Sequence, residues 1–296
     1  WSGDGCTVGK TNSTHVQCHC RHLTSFAVLM QVSDGGTSKP EHHFALTLIT
    51  YIGISLSLVG LIVVFMTFTF MKFLRSPRHF IHANLALSLA LAEMVFLLGI
   101  DRTEYQVACK ILAIAMHYLF LVAFAWMALE GVILYLMLVK VFHSSVSGRK
   151  TKTIFFACGW GLPVIVVAVS ATVYHEGYGT QTFCWLSLER HFIWAFVAPV
   201  LAVILVSTCL VLVRLVWLSK HTVRACDHYF TLWHFSSGRY WARSCCLLTC
   251  ILGVTWLLGV FFVNEETLVM AYLFSILNAL QGVAIFLLHC IGDHKV

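Results

Sequence analysis

Seven long apolar stretches constrain the fold of this chain more than any other feature of its sequence. Five contain no Asp, Glu, Lys or Arg (44–71, 153–174, 192–213, 244–264 and 267–288), and two contain one acid each (79–100 and 111–139). About 20 apolar residues in a helix span a bilayer, whereas the strands of membrane β-barrels are shorter and alternate in polarity. The stretches are continuous, so they predict an all-α membrane protein built as a seven-transmembrane helix bundle.

Composition excludes several other classes of protein. The 296 residues are 59% hydrophobic and only 11% charged, against roughly 25% charged residues in soluble domains. A water-soluble globule, a disordered tail and a nucleic-acid-binding domain are therefore excluded. We expect the chain to be embedded in the lipid bilayer and to have no nucleic acid partner.

The distribution of basic residues predicts the orientation. With the N-terminus outside, thirteen of the 19 Lys and Arg residues fall in segments on the cytoplasmic side, where only Asp227 and Asp293 are acidic. Cytoplasmic loops carry an excess of Lys and Arg. We therefore predict a multi-pass membrane protein with its N-terminus outside and its C-terminus in the cytoplasm.

Two further features agree with this orientation. Cys109, at the start of the third span, and Cys184, between spans four and five, both fall on the outer side, where the compartment favours disulfides. We expect a Cys109–Cys184 disulfide that ties the loop over the mouth of the bundle. Asn12-Ser13-Thr14 is a glycosylation sequon in the outer segment, which makes Asn12 a candidate acceptor.

The outer segment also contains closely spaced cysteines and histidines. Cys18, His19, Cys20 and His22 are candidate zinc ligands. They crowd into five residues with no second ligand pair, and the compartment is oxidising, so we expect no metal and no cofactor.

His22, Leu23 and Thr24 are candidates for self-cleavage. A Thr hydroxyl becomes nucleophilic when a neighbouring base takes its proton, and a histidine is mostly neutral near pH 7. Attack of the Thr24 hydroxyl on the Leu23 carbonyl would convert the peptide bond to an ester that water opens. A His-x-Thr triplet on its own also arises by chance.

Longer motifs identify a family. The run from Cys18 to Met30, followed by seven spans, closely resembles the adhesion G-protein-coupled receptors. The resemblance continues in motifs along the chain: 81–85, 123–127, 129–135, 178–180, 184–186, 193–196, 255–256 and 278–282. Residues 96–101 and 264–267 are most similar to the latrophilin branch. The family self-cleaves at a matching site, so the resemblance implies cleavage between Leu23 and Thr24.

The resemblance also implies a tethered agonist, a peptide that folds back into the bundle. The matching residues are Thr24, Ser25, Phe26, Ala27, Val28, Leu29 and Met30. Phe26, Leu29 and Met30 have the spacing of one helical face and would be the apolar anchors. The alternative is a buried strand of the outer domain, and the segment could adopt each form in turn. The residues that match the family's agonist pocket are Phe120, Trp185, Trp256, Phe274 and Asn278.

Ionisable and flexible residues in the spans suggest an activation network. His82 and Glu130 lie at similar depth toward the cytoplasmic side, and a hydrogen bond between them would hold spans two and three together. Gln281 and Gly282 would let the last span bend. Similar receptors use an inner polar network of this kind. Glu93 receives no role here, and we interpret His117 as a packing residue.

The chain departs from the family pattern at both ends. Of the four paired cysteines in the family's outer domain, Cys6, Cys18 and Cys20 match three; the resemblance allows a Cys6–Cys20 disulfide, which would leave Cys18 without its partner. We divide the chain into a remnant of the β-rich autoproteolysis domain with the agonist (1–43), the seven-transmembrane domain (44–290) and a truncated cytoplasmic tail (291–296). Self-cleavage is expected only in a longer parent with the complete outer domain, and the chain is not otherwise an enzyme.

Two functions follow. The first is a receptor, activated by Thr24–Met30, that drives nucleotide exchange on a heterotrimeric G protein, with its own N-terminal fragment and an extracellular adhesion ligand as further partners. The alternative is a non-signalling membrane anchor for a cell-adhesion ectodomain. A transporter is a weaker third candidate, because only two acids lie in the spans and no repeat of broken helices is present.

Overall fold

The computed structural model describes residues 6–11, 16–20, 40–70, 77–139, 149–180, 183–222, 255 and 268–291. The chain divides into two compact units, Trp1–Ser38 and Lys39–Val296. Each unit is described by itself below.

The first unit contains two antiparallel strands, β1 (Cys6–Thr11) and β2 (Val16–Cys20). The backbone register sets Cys6 opposite Cys20 and Val8 opposite Cys18. Facing Cα atoms in antiparallel strands lie about 4.5–5.5 Å apart, a separation that a disulfide can bridge. The register is therefore compatible with the predicted Cys6–Cys20 disulfide and leaves Cys18 opposite a valine.

Three long helices begin the second unit: α1 (Pro40–Phe70), α2 (Pro77–Gly99) and α3 (Gln106–Val139). They correspond to the first three predicted spans. An uninterrupted apolar run folds as a helix in lipid because only a helix satisfies every backbone N–H and C=O within the segment. Pro40 and Pro77 occupy the first helical position, where a missing N–H costs nothing.

The fourth predicted span contains a change of helical register at its centre. It comprises α4 (Arg149–Phe156), a π-helical turn (Ala157–Gly161) and α5 (Leu162–Val173). Pro163, in the first turn of α5, cannot donate a backbone hydrogen bond to the preceding turn, so the regular ladder is interrupted there.

The remaining helices of the described residues correspond to spans five and seven. They are α6 (Trp194–Thr222), α7 (Leu268–Ala279), α8 (Gln281–Phe286) and a π-helical turn (Leu287–Ile291). Leu280, with φ −94° and ψ 3°, separates α7 from α8. Of the sixth predicted span, 244–264, only Thr255 belongs to the described residues.

Length and composition make four of the described helical segments able to cross a membrane: Phe44–Phe70, His79–Gly99, Gln106–Ile133 and Arg149–Val173. Their surfaces agree with this. Large apolar side chains on α1 and α5 point outward, including Ile52, Val59 and Ile165, each about 60% exposed. Polar side chains such as Ser57, His82 and Glu130 are buried instead. A bundle with apolar residues outside and polar residues inside is suited to lipid.

The core forms where α3 packs against α2, α6 and the fourth span. Trp126 is fully buried against Gly159, where an added Cβ would lie 2.5 Å from the indole ring. Trp160 donates its indole N–H to Asn84 on α2 (3.0 Å), and the Tyr118 hydroxyl donates to the Trp160 carbonyl (3.0 Å). Spans two, three and four are therefore joined by hydrogen bonds as well as by packing.

Candidate functional site

A cavity of about 780 Å³ lies among α1, α2, α3, α6 and α7, beneath the loop that joins α5 to α6. Four of the five residues predicted for the agonist pocket line it: Phe120, Trp185, Phe274 and Asn278. The fifth, Trp256, lies outside the described residues. The four come from distant parts of the chain, so the tertiary fold brings them together.

Three aromatic rings form one wall of the cavity. Phe120 on α3, Trp185 in the loop and Phe196 on α6 contact one another edge to face, with ring centroids 5.3–6.4 Å apart. Such arrangements are preferred by aromatic pairs. The sequence prediction omitted Phe196 from the pocket, although Phe196 ends the 193–196 motif, which was the signal that could have pointed to it.

The loop that supplies Trp185 is tied to two helices. The predicted Cys109–Cys184 disulfide is present and joins the loop to α3, with the two Cα atoms 4.9 Å apart. The Cys184 N–H also donates to the Ile100 carbonyl, just after α2 (2.9 Å). We call this part of the bundle the disulfide end.

A turn at Gly179 completes the loop. Gly179 has φ +80°, a conformation that glycine adopts readily, and its N–H donates to the Trp185 carbonyl (2.9 Å). Tyr178 forms an isolated antiparallel bridge with Leu186. These backbone bonds position Trp185 over the cavity.

His117 connects α3 to the same loop. Its Nδ1 and the Tyr178 hydroxyl share a hydrogen bond of 2.8 Å, and both side chains are fully buried. Tyr178 also packs edge to face on Phe192 (5.1 Å). Burial raises the pKa of Tyr178 to about 12, so its hydroxyl stays protonated at neutral pH. The interpretation of His117 as a packing residue leaves out this link to the loop.

The polar floor of the cavity centres on Glu93, for which the sequence suggested no role. Ser57 on α1 donates its hydroxyl to Glu93 Oε1 on α2 (2.7 Å), and the same hydroxyl accepts the Gly282 N–H at the start of α8 (2.9 Å). Glu93 and Gln281 both line the cavity and are buried. Ser57 could not be singled out from the sequence, since Ser55 lies two residues away in the same apolar run.

Asn278 occupies the side of the cavity on α7. Its amide donates to the Phe274 carbonyl one turn earlier (2.8 Å), and its Oδ1 accepts the Thr255 hydroxyl (3.1 Å). Thr255 is itself buried. Asn278 is therefore held in place by contacts on two sides.

His82 and Glu130 lie together on α2 and α3, both almost fully buried. The predicted hydrogen bond between them is longer than expected: His82 Nδ1 and Glu130 Oε1 are 3.7 Å apart, which is an ion-pair distance. Glu130 follows Cys109 by 21 residues on α3, about 30 Å along the helix, so the pair lies far from the disulfide end. Gln281 and Gly282 follow the break at Leu280; the Gly282 N–H donates to the Ser57 hydroxyl, and Gln281 lines the cavity.

Several predicted residues of the first unit lie outside the described part of the chain. These are Asn12, the candidate cleavage residues His22, Leu23 and Thr24, and the rest of the agonist segment, Ser25, Phe26, Ala27, Val28, Leu29 and Met30. Within the part that is described, no three His, Cys, Asp or Glu side chains lie close enough to hold a metal ion.

Comparison with known proteins agrees with this arrangement. Residues 43–285 match the family described as 7 transmembrane receptor (Secretin family), and residues 1–34 match the GPS region, described as GAIN subdomain B. Adhesion G protein-coupled receptor L1 of Mus musculus is 42% identical over 299 residues, covering 100% of this chain and 20% of the relative.

Two other relatives cover the whole of this chain. Adhesion G protein-coupled receptor L4 of Danio rerio is 38% identical over 296 residues, which are 40% of its own length. Adhesion G protein-coupled receptor E3 of Homo sapiens is 43% identical over 300 residues, 44% of its length. The chain thus spans less than half the length of these curated relatives.

The fold and the family match define the class of the protein, a membrane-embedded bundle of seven helices. The chain belongs to the adhesion G-protein-coupled receptors of the secretin family, as its motifs predicted. The L1 relatives also agree with the preference for the latrophilin-like branch.

Proposed function

We propose that this chain is a signalling receptor in which Thr24–Met30 acts as a tethered agonist, binds the cavity and drives nucleotide exchange on a heterotrimeric G protein. One observation carries the proposal: Phe120, Trp185, Phe274 and Asn278, which the resemblance to the family implies for the agonist pocket, line one cavity. Its volume of about 780 Å³ lies within the roughly 300–1,000 Å³ typical of ligand pockets.

The chemistry of the segment suits such a cavity. Phe26, Leu29 and Met30 are apolar, and burying each contributes about 1.5–3 kcal/mol. Because the segment is covalently attached, its binding is intramolecular and benefits from a high effective concentration. The aromatic wall of Phe120, Trp185 and Phe196 offers the apolar surface that these anchors need.

Two features support a conformational response. The break at Leu280 gives the last span a hinge, directly before Gln281 and Gly282. The buried pair of His82 and Glu130 joins α2 to α3 far from the disulfide end, where its separation would accompany opening of the bundle. We propose an activation network formed by His82, Glu130, Gln281 and Gly282.

The orientation and processing of the chain complete the proposal. The N-terminus is extracellular, the C-terminus is cytoplasmic and the G protein binds on the cytoplasmic face of the plasma membrane. In a longer parent, His22 activates the Thr24 hydroxyl to cleave after Leu23, and the N-terminal fragment binds an extracellular adhesion ligand. Asn12 is glycosylated, and Cys6 pairs with Cys20, whose opposition in the strand register supports the pairing.

The test measures binding of a GTP analogue to G proteins in membranes that contain this chain with Phe26→Ala. A synthetic peptide matching Thr24–Met30 should restore exchange, whereas the peptide with Phe26→Ala should not. Adding Phe120→Ala to the receptor should abolish the restored exchange. Phe44→Ala is the matched control, because Phe44 is 68% exposed on α1 and lies outside the cavity, so exchange should persist.

The outcomes separate the receptor from the anchor. Equal exchange with both peptides would remove the tethered-agonist mechanism. No exchange under any condition, with surface expression confirmed, would favour a non-signalling anchor for an adhesion ectodomain.

A further inference from the structure

The cavity contains a buried acid that the described residues of its walls do not neutralise. Glu93 is 8% exposed and lines the cavity. Oε1 accepts the Ser57 hydroxyl, whereas Oε2 is buried without a hydrogen-bond partner among the described residues. A buried carboxylate oxygen left in this way is costly unless something pairs with it.

The described lining supplies no compensating charge. Glu93 is the sole ionisable residue among the described residues that line the cavity, so no Lys, Arg or His of that lining faces it. Ser57 is a neutral donor and is itself shared with the Gly282 N–H. No described residue of the lining completes Glu93, and a molecule that occupies the cavity can supply the missing group.

The surrounding surface favours a cation. Phe96 lies one helical turn beyond Glu93 on α2 and lines the same cavity, as do Phe120 and Trp185. Aromatic faces attract ammonium groups, and a carboxylate accepts their N–H bonds. Gln281 adds one buried amide N–H without a partner among the described residues, which can donate to an acceptor on the same molecule.

We propose that Glu93 is the recognition carboxylate of the cavity and binds the ammonium group of an amine with an apolar body. Two sources have this chemistry: the α-amino group that cleavage would create at Thr24, and a free small-molecule amine. With the first source, the contact at Glu93 is part of the tethered-agonist mechanism and rests on the function proposed above. The second source is independent of that function. No covalent step is involved; the ammonium forms an ion pair with Oε2.

Binding is measured on the purified chain with Phe26→Ala, so that its own segment does not compete. The first probe is the synthetic peptide Thr-Ser-Phe-Ala-Val-Leu-Met, with a free or an acetylated N-terminus. The second is 2-phenylethylamine against its neutral counterpart 2-phenylethanol, followed by the rise in the thermal unfolding temperature. Each pair of probes differs in the cationic group while keeping the apolar body.

A buried charge-assisted contact predicts that the amine form binds about 10- to 100-fold more tightly than the neutral form. Glu93→Gln keeps the size of the side chain and its acceptor for Ser57, and it should remove this preference. Glu93→Asp should retain part of it. Glu104→Gln is the matched control, because it removes the same charge from an exposed position beside α3 and should leave the preference intact.

The two arms distinguish the sources. A Glu93-dependent preference for the free peptide identifies Thr24 as the source, and one seen with 2-phenylethylamine alone identifies a free amine. Equal binding of amine and neutral forms in both arms would overturn the proposal, a comparison that needs no variant at position 93. If the Thr24–Met30 peptide drives no nucleotide exchange in the membrane test above while the amine preference persists, the receptor function is contradicted and the binding site remains supported.

Discussion

The hydroxyl of Ser57 on α1 lies 2.9 Å from the backbone nitrogen of Gly282, 225 residues later in the chain. Gly282 stands in the first turn of α8, where a helix has backbone N–H groups without intrahelical acceptors. Ser57 therefore caps α8 from another helix, and it donates at the same time to Glu93. One hydroxyl joins the first, second and seventh predicted spans at the floor of the cavity.

Replacing Ser57 by alanine should destabilise the bundle. The change removes the cap and one partner of a buried carboxylate, which together cost about 1–3 kcal/mol. Thermal unfolding in detergent should show a lower midpoint for Ser57→Ala. Ser55→Ala is the matched control, because the exposed Ser55 donates its hydroxyl to the Tyr51 carbonyl of its own helix, and its midpoint should match wild type.

Gly282→Ala should destabilise the protein through overpacking. A Cβ on Gly282 would lie 2.5 Å from the Ser57 carbonyl oxygen and 2.7 Å from Leu61, so α1 and α8 would have to separate. Overpacking of this kind costs about 1–3 kcal/mol. Gly161→Ala provides the contrast, since no atom of the described residues beyond its own helix backbone lies within 4 Å of a Cβ added there. Equal unfolding midpoints for the two variants would contradict the close approach of the helices.

Cys184→Ser should loosen the loop over the cavity. The Cys109–Cys184 disulfide closes a loop of 75 residues, and losing such a bond costs about 2–5 kcal/mol. We expect a lower unfolding midpoint and weaker binding of the agonist peptide, because Trp185 is adjacent. Reductant should reproduce the effect in wild type. Cys209→Ser, at an exposed free cysteine, should change neither quantity.

Tyr178→Phe should alter how stability depends on pH. Burial raises the pKa of Tyr178 from 10.0 to about 12, so the folded state holds the phenolic proton more tightly than the unfolded state. The stability from this group is complete below pH 10 and is lost as pH rises to about 12. Tyr178→Phe also loses the bond to His117, so the variant should be less stable near pH 8.

The difference in unfolding midpoint between wild type and Tyr178→Phe should therefore narrow between pH 10 and pH 12. Tyr105→Phe, at a position that is 68% exposed, is the control and should show a small difference across that range. A constant gap for Tyr178→Phe would show that its hydroxyl is not held in the buried, protonated form.

The spans could be predicted from the chain because the signal is local. An apolar run of this length has one way to satisfy its backbone in lipid, so α1, α2 and α3 end within a few residues of their predicted bounds. The resemblance to the family pointed to Phe120, Trp185, Phe274 and Asn278, which are among the residues that line the cavity. The disulfide followed from two cysteines on the same predicted side of the membrane.

Partnerships within the bundle were harder to predict. Glu93 could be identified in the sequence as the single acid of its span. No sequence feature distinguishes its partner Ser57 from Ser55. His82 and Glu130 were paired by their similar depth, whereas their separation of 3.7 Å depends on how closely α2 and α3 pack. Phe196 joins Phe120 and Trp185 only because α6 packs beside α3.

Helix formation and membrane insertion thus follow from the order of residues, because backbone hydrogen bonds and hydropathy act over a few turns. Family membership follows from motifs that can be read directly in the sequence. Which side chains share the cavity, and which hydroxyl caps α8, depends on contacts between residues separated by up to 225 positions. Those contacts depend on the rotation of each helix about its axis and on its depth relative to its neighbours in the close-packed bundle. The rotation and depth of the helices are set when the whole bundle packs, so only the tertiary structure determines these contacts.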